Sequence, residues 1–172
     1  MDIRLAAIQD AAQIAEVHVR SWQGAYRGLM PQEHLDALDP AVRAERWAAT
    51  LDVVDGIRAG VLVAADPGGV RGFASFGPTR DPDENPEHVG EVTAIYLTPA
   101  AWGTGCGRAL MTAALDRLVA AGYREITLWV LAANARARRF YAAAGLHPDG
   151  AEKLDDRDGL GLREVRYRRS LP

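Results

Sequence analysis

The spacing of hydrophobic positions changes along the chain between the two-residue repeat of strands and the helical repeat. Strands are predicted over residues 3–7, 60–65, 71–76, 91–97, 126–130 and 163–168. Helices are predicted from Asp10 to about residue 23, after Pro31, over 40–50, over 108–121, and from Asn134 onward. The turn residues of 66–69, Asp-Pro-Gly-Gly, favour a hairpin between the second and third strands. This alternation predicts an α/β domain built around a mixed sheet.

Two local signals position the predicted helices. Asp10 is a plausible N-cap, because its side chain can accept hydrogen bonds from the free amides of a first helical turn. The helix over 108–121 carries a stripe of apolar side chains at helical spacing, which predicts a face turned to the core. The stripe consists of Leu110, Met111, Ala114, Leu115, Leu118 and Val119.

A glycine-rich loop lies between the strand ending at Leu97 and that helix. Gly103, Gly105 and Gly107 alternate with Thr104 and Cys106. A backbone without side chains can turn several N–H groups inward at the positive end of a helix, which is typical of an anion site. A turn that only permits tight packing would have the same composition. The spacing matches neither a dinucleotide-binding fingerprint, whose third glycine would fall at residue 108, nor a Walker loop.

Asn134 and Tyr141 open the last predicted helix and are seven residues apart. Two helical turns separate them by roughly 10 Å on one face. Ala137 lies between them and leaves a shallow groove in which a slender ligand arm could lie. Asn134 is also a candidate N-cap, which is compatible with a ligand contact. Phe140 is interpreted as a core aromatic residue.

Three segments together resemble the GNAT superfamily of acyl-CoA-dependent N-acetyltransferases. They are IYLTP over 95–99, WGTGCGRAL over 102–110, and the positions of Asn, Ala, Phe-Tyr and Gly-Leu within 134–146. The segment SWQGAYRGLMP over 21–31 resembles a common bacterial branch of the superfamily. The resemblance covers most of the chain and implies one N-acetyltransferase domain over residues 1–172.

The resemblance implies a mixed, mostly antiparallel sheet of about seven strands flanked by helices. A splayed pair of strands, ending near Leu97 and Val130, would hold acetyl-CoA. Asn134 would contact the pantetheine arm, and Tyr141 would lie near the sulfur. The main chain of Ile95, Tyr96 and Leu97 would pair with the arm, and the pyrophosphate would be held by amides of Gly103, Thr104, Gly105, Cys106, Gly107 and Arg108.

One position departs from the family pattern. The glycine motif usually opens with Gln or Arg, and this chain has Trp102. The backbone cradle does not depend on that side chain. Trp102 is therefore expected to pack beside the cofactor.

Acetyl transfer from a thioester to an amine needs a base for the ammonium, a donor to the carbonyl oxygen, and an acid for the thiolate. Glu91, at the start of the strand leading to the cleft, is the candidate base, through a water where the distance requires one. A backbone N–H near Leu97 is the candidate oxyanion donor. Tyr141 is the candidate acid, since a phenol with an ordinary pKa near ~10 can protonate a departing thiolate.

The sequence gives less information about the residues that bind the acceptor. By family analogy, Trp22, Tyr26 and Glu91 are expected to bind the acceptor, a primary amine of a small molecule or peptide. The acidic loop of Asp81, Asp83, Glu84 and Glu87 suits a cationic acceptor or simply a solvated surface.

Two other functions stay open from the sequence. The chain could be an acyl-CoA-binding module without turnover, although it retains both Glu91 and Tyr141. It could also be an acyltransferase in which Cys106 is the nucleophile, with His18, His34, His88 or His147 as base. Cys106 lies where the phosphates are expected, which favours direct transfer. His18 sits among apolar residues and is interpreted as a core histidine.

Bulk composition excludes several other classes. The 172 residues have a net charge of −3, so no general affinity for nucleic acid is expected. There is one cysteine and no apolar run or leader pattern, so a cytoplasmic protein without membrane contact is expected. No metal is expected, and both a monomer and a homodimer stay open.

Overall fold

A computed structural model describes residues 1–156 and 159–172. Its seven-stranded sheet has the order β1-β2-β3-β4-β5-β7-β6. The strands are β1 (Asp2–Leu5), β2 (Gly60–Asp66), β3 (Gly69–Pro78), β4 (Val89–Leu97), β5 (Glu125–Leu131), β6 (His147–Asp155) and β7 (Leu162–Ser170). The helices are α1 (Ala11–Ala25), α2 (Gln32–Asp36), α3 (Pro40–Val53), α4 (Cys106–Ala120) and α5 (Ala135–Ala143). The predicted mixed and mostly antiparallel sheet is confirmed.

The parallel pair β4 and β5 is joined along only part of its length. Three residue pairs connect the two strands, from Val89↔Glu125 to Glu91↔Thr127. Beyond them, β4 continues to Leu97 in register with β3, while β5 continues to Leu131 in register with β7. The two strands therefore diverge after Glu91, which is the splayed pair expected from the resemblance.

Helices cover both faces of the sheet. On one face, α4 buries Leu110, Met111, Ala114 and Leu118 against the central strands, as its apolar stripe predicts. On the other face, Ile14 and Val17 of α1 pack with apolar residues of β2 and β3. Because α4 is anchored by this stripe, its N-terminus holds a fixed position beside the end of β4.

Several local expectations differ from the structure. The helix predicted from residue 108 begins at Cys106, so the end of the glycine loop forms its first turn. Asp10 does not cap α1 with its side chain. Its carboxylate accepts the N–H of Ala7 at 2.8 Å and pairs with Arg4 at 2.7 Å, which stabilises the preceding turn instead. Strand β6 was not predicted. Both of its faces are largely exposed and polar, so its sequence lacks the alternation of a half-buried strand.

Candidate active site

A cavity of about 1260 Å³ opens where β4 and β5 diverge. Its walls come from β4, the glycine loop, α5 and α1, with further residues from α3, β6 and β7. The predicted site residues that line it are Trp22, Tyr26, Glu91, Ile95, Tyr96, Leu97, Gly103, Thr104, Gly105, Gly107, Arg108, Asn134 and Tyr141. Cys106 is the predicted residue that does not. One continuous cavity therefore brings together residues spread over most of the sequence.

The glycine loop presents backbone N–H groups to this cavity. Gly103 and Gly105 have φ of +76° and +88°, a left-handed conformation that favours glycine. Within residues 1–156 and 159–172, no acceptor is bonded to five N–H groups of this segment, those of Gly103, Thr104, Gly105, Gly107 and Arg108. The start of α4 adds the positive end of a helix dipole. The segment can therefore bind an anion through its main chain.

Cys106 belongs to the core and not to the cavity wall. Its side chain is fully buried, and burial raises the pKa of the thiol. Its N–H lies 3.4 Å from Oγ1 of Thr104, whose hydroxyl donates to the carbonyl of Ala101 at 2.8 Å. A pyrophosphate oxygen would therefore have to compete with Oγ1 of Thr104 for the N–H of Cys106. A buried thiol with a raised pKa is also a poor nucleophile, which argues against the cysteine mechanism.

Contacts with two different elements hold the side chain of Trp102 in place. Its indole N–H donates to the carbonyl of Leu97 at 3.2 Å. The guanidinium of Arg136, from the first turn of α5, lies 3.5 Å from the centre of the Trp102 ring. Helix α5 thus places a positive charge beside Trp102, the position at which the family motif usually has Gln or Arg. The sequence motif did not indicate Arg136, because the contact joins two elements across the cleft.

Asn134 and Tyr141 lie on the wall that faces β4. The Asn134 side chain accepts the N–H of Ala137 at 3.1 Å, so its predicted role as N-cap is confirmed. Tyr141 is 9% exposed and lines the cavity. Burial and the nearby phenol of Tyr96 raise the pKa of Tyr141, so its hydroxyl stays protonated over the physiological range.

Glu91 lies at the point of divergence, with a side chain that is 2% exposed. Its carboxylate accepts three hydrogen bonds from Arg80: from Nη2 at 2.6 Å, from the backbone N–H at 3.0 Å and from Nε at 3.1 Å. Arg80 follows the end of β3, whose residue Gly77 is paired with Glu91. Sequence reasoning missed this partner because only the β3–β4 register brings it close. The pair fixes the orientation of the carboxylate.

Aromatic residues of α1 form another part of the cavity wall. Trp22 and Tyr26 pack edge to face with ring centres 5.1 Å apart. Burial, followed by the neighbouring Tyr96, raises the pKa of Tyr26 well above its usual value. His18 lies one turn before Trp22 on the same face, with ring centres 5.4 Å apart. The spacing of 18, 22 and 26 is the sequence signal that could have grouped His18 with the other two.

The acidic loop does not present free carboxylates to an acceptor. Arg166 of β7 is 6% exposed and pairs with Asp81 and Asp83, both at 3.1 Å, and with Glu84 at 3.3 Å. Glu87 pairs with Arg58 at 3.4 Å. The expectation that this loop attracts a cationic acceptor is therefore wrong, because its charges are compensated within the fold. The loop instead holds the β3–β4 connection against β7.

No group of three His, Cys, Asp or Glu side chains in the described ranges could hold a metal ion. Among those same residues, no helix is both long enough and apolar enough to span a bilayer.

Comparison with known proteins places this site in a family. The model of the acetyltransferase (GNAT) family matches residues 14–146. The uncharacterized N-acetyltransferase YuaI of Bacillus subtilis is 35% identical over 133 residues, which cover 77% of this chain and 72% of that protein. The chain therefore belongs to the GNAT acetyltransferase family.

Solved structures agree with the fold. A GCN5-related N-acetyltransferase from Rhodopseudomonas palustris has a TM-score of 0.76 at 23% identity, covering 99% of this chain and 95% of that one. A phosphinothricin acetyltransferase from Sinorhizobium meliloti, solved with acetyl-CoA, has a TM-score of 0.73 at 24% identity, covering 99% and 88%. The predicted class, an acetyltransferase that uses acetyl-CoA, is confirmed at the level of the family.

Proposed function

We propose that the chain transfers the acetyl group of acetyl-CoA directly to a primary amine of a small molecule or peptide. The observation that carries this proposal is the continuity of the cavity from the glycine loop, past Tyr141, to Glu91. An anion cradle, a buried acid and a buried carboxylate then share one space. We also propose that residues 1–172 form a single domain around it.

Donor binding would rest on main-chain groups. The segment from Val92 to Leu97 has no β5 partner, so this edge of β4 is open to a strand-like ligand. The amides of the pantetheine arm would pair there, with Asn134 on the facing wall. The N–H groups of the glycine loop would hold the pyrophosphate, and Arg136 would add positive charge beside them. These contacts suit the shape and charge of acetyl-CoA.

The acetyl donor supplies a thioester carbonyl that an amine can attack. Glu91 would take the proton of the acceptor ammonium, through a water held at its carboxylate. The amine nitrogen then bonds to the carbonyl carbon, and the C–S bond breaks. A backbone N–H near Leu97 would stabilise the negative oxygen in between. The Tyr141 hydroxyl would pass its proton to the departing sulfur, which leaves as the free thiol. The second proton of the attacking nitrogen would be lost as the amide forms and would return to Tyr141 through water.

The decisive experiment is a panel of primary amines incubated with acetyl-CoA, read by the appearance of free thiol. Turnover with at least one amine, with the acetylated amine identified by mass spectrometry, is the expected result. Binding of acetyl-CoA without thiol release from any amine would contradict the proposal and favour a non-catalytic binding module. A burst of one thiol per protein without amine would favour a covalent acetyl-enzyme.

A further inference from the structure

The carboxylate of Glu91 is bound by a main-chain group of the acidic loop as well as by a side chain. The backbone N–H of Arg80 donates to Oε2 at 3.0 Å, beside the two guanidinium bonds. The Arg80 side chain is 60% exposed, whereas that of Glu91 is 2% exposed. Because an exposed ion pair on a flexible side chain holds its geometry weakly, the main chain of Arg80 is the more rigid of the two partners.

The three hydrogen bonds leave one position of this carboxylate open. An ionised carboxylate can accept about four hydrogen bonds, two at each oxygen. Among the described residues, two donors occupy Oε2 of Glu91 and one occupies Oε1. The remaining lone pair belongs to Oε1, and it is the one that can hold the water required for proton transfer. A displacement of Arg80 would change which lone pair is available.

The residues on either side of Arg80 are anchored to different strands. The N–H of Thr79 donates to a carbonyl of β4 at 3.0 Å, just beyond the end of β3. The carboxylate of Asp81 accepts Nε1–H of Trp129, on β5, at 2.9 Å. It also accepts an N–H of Arg166, on β7, at 3.1 Å. Trp129 and Arg166 are direct neighbours in the β5–β7 register, so Asp81 is bound to two strands at one point.

The bond between Asp81 and Trp129 crosses the place where β4 and β5 separate. The last residue pair of these two strands is Glu91↔Thr127, and in the described part of the chain none follows it. Trp129 lies two residues after Thr127 and therefore on the same face of β5. Asp81 is outside the cavity lining, whereas Arg80 and Trp129 belong to it. Asp81 can therefore influence the cavity only through its neighbours.

We propose that Asp81, bound by Trp129 and Arg166, is a positioning residue that orients Glu91 through the main chain of Arg80. This inference rests on the proposed function, in which Glu91 is the base. It gives the acidic loop a role in proton transfer, although the charges of the loop are compensated within the fold. Loss of this anchor should slow the reaction and leave the binding of acetyl-CoA unchanged.

The first test is Asp81→Asn, which keeps the shape of the side chain and removes the charge that strengthens both of its bonds. The value of kcat should fall about 10-fold, because a displacement of a reacting group by about 1 Å costs up to about 10²-fold. KM for acetyl-CoA should not change. Asp149→Asn is the matched control, since Asp149 of β6 binds the same guanidinium of Arg166, at 2.7 Å. Equal losses in both variants would overturn the proposal.

Trp129→Phe removes the same anchor from its other side. The ring remains for its contact with Lys153, whose Nζ lies 4.1 Å from the ring centre of Trp129, and only the N–H donor to Asp81 is lost with the smaller ring system. This variant should reproduce the loss of kcat seen in Asp81→Asn. Normal turnover in a folded Trp129→Phe protein would contradict the anchor.

A double-mutant cycle shows whether Asp81 acts through Glu91. In a Glu91→Gln background, Asp81→Asn should cost less than about twofold further, because the carboxylate that it orients is absent. The deficit of Asp81→Asn alone should also shrink as pH rises through the pKa of the acceptor amine, since a neutral amine needs no base. Effects that multiply, or a deficit that is independent of pH, would contradict the positioning role.

A measurement without an acceptor separates this inference from the proposed function. Exchange of the Arg80 N–H with D2O, followed by NMR, should be slow in the wild type and in Asp149→Asn, and at least about 10-fold faster in Asp81→Asn. Fast exchange in the wild type, or unchanged exchange in Asp81→Asn, would overturn the positioning role whatever the turnover. Faster exchange in Asp81→Asn, with no amine turned over by the wild type, would support the anchor and contradict only the proposed function.

Discussion

The wall of the cavity formed by β4 and the glycine loop presents main-chain groups, whereas the wall formed by α1 and α3 presents side chains. The first depends on where two strands separate and on the left-handed turns at Gly103 and Gly105. The second depends on the rings of His18 and Trp22 and on two arginines. A main-chain surface tolerates many changes of side chain. A side-chain surface can change its preference with single substitutions, so we propose that acceptor identity is determined there.

The largest expected effect comes from Gly105→Val, which tests the main-chain wall. No atom lies within 4 Å of an added Cβ, but φ is +88°, and a β-branched residue there is strained by about 1–3 kcal/mol. The loop should leave its anion-binding conformation, and acetyl-CoA binding should fall below calorimetric detection.

Gly122→Val is the matched control for this substitution. Gly122 has φ of +86°, has the same open space, and lies after α4 away from the cavity. It should lose similar stability and keep acetyl-CoA affinity. Equal loss of affinity in both variants would show that the Gly105 effect is general destabilisation.

Tyr141→Phe tests the proposed acid between the two walls. Removing the hydroxyl should lower kcat by about 10²–10⁴-fold with little change in acetyl-CoA affinity, because the proton is needed only as the C–S bond breaks. Tyr167→Phe is the matched control, since that phenol is also buried, 6.4 Å away between ring centres, and accepts from Arg138. A near-normal kcat for Tyr141→Phe would assign its ring to packing alone.

Glu91→Gln tests the proposed base. The rate should fall by about 10²-fold near neutral pH, at the low end for general bases because a water carries the proton. The deficit should shrink as pH rises through the pKa of the acceptor amine, since a neutral amine needs no base. Glu125→Gln, which also removes a partner of an arginine but lies off the cavity, should keep its rate. A pH-independent deficit would indicate a structural role for Glu91.

The wall formed by β4 and the glycine loop, which is the proposed donor wall, was largely predictable from the sequence. The glycine alternation, the strand before it and the apolar stripe of α4 are local patterns that determine main-chain geometry. Asn134 and Tyr141 share one helix, so their common face follows from helical spacing alone. The exception is Arg136, whose position over Trp102 depends on how α5 packs across the cleft.

The wall formed by α1 and α3, which is the proposed acceptor wall, was predictable only in part. Trp22 and Tyr26 followed from family resemblance, but Arg43, Arg46 and Arg80 come from elements whose side chains meet only after the sheet forms. The acidic loop was misjudged for the same reason, because Arg166 lies about 80 residues away in sequence and neutralises it. Long-range charge pairing leaves no local pattern.

The free energy of unfolding should fall in acid because of His18 in the acceptor wall. His18 has a pKa of about 3 in the fold against 6.5 when exposed, so the unfolded chain binds a proton first as pH falls. Its contribution to stability is complete above pH 6.5 and is lost progressively below it, by about 2–3 kcal/mol at about pH 4.5. Urea unfolding across this range should show a shallower pH dependence for His18→Phe than for the exposed control His88→Gln. Identical slopes would show that the pKa of His18 is the same in the folded and the unfolded chain.

The smallest expected effect is that of Cys106→Ala, which tests whether the donor wall uses any side-chain chemistry. The thiol is buried in the core, and burial raises its pKa. Its loss should cost about 1 kcal/mol of stability and leave kcat and acetyl-CoA affinity within about twofold. The native thiol should also resist iodoacetamide until the protein is unfolded, because the thiolate is the reactive form. Loss of turnover with acetyl-CoA binding intact would instead favour a covalent acetyl-cysteine over direct transfer, and the donor wall would then be catalytic as well as a cradle.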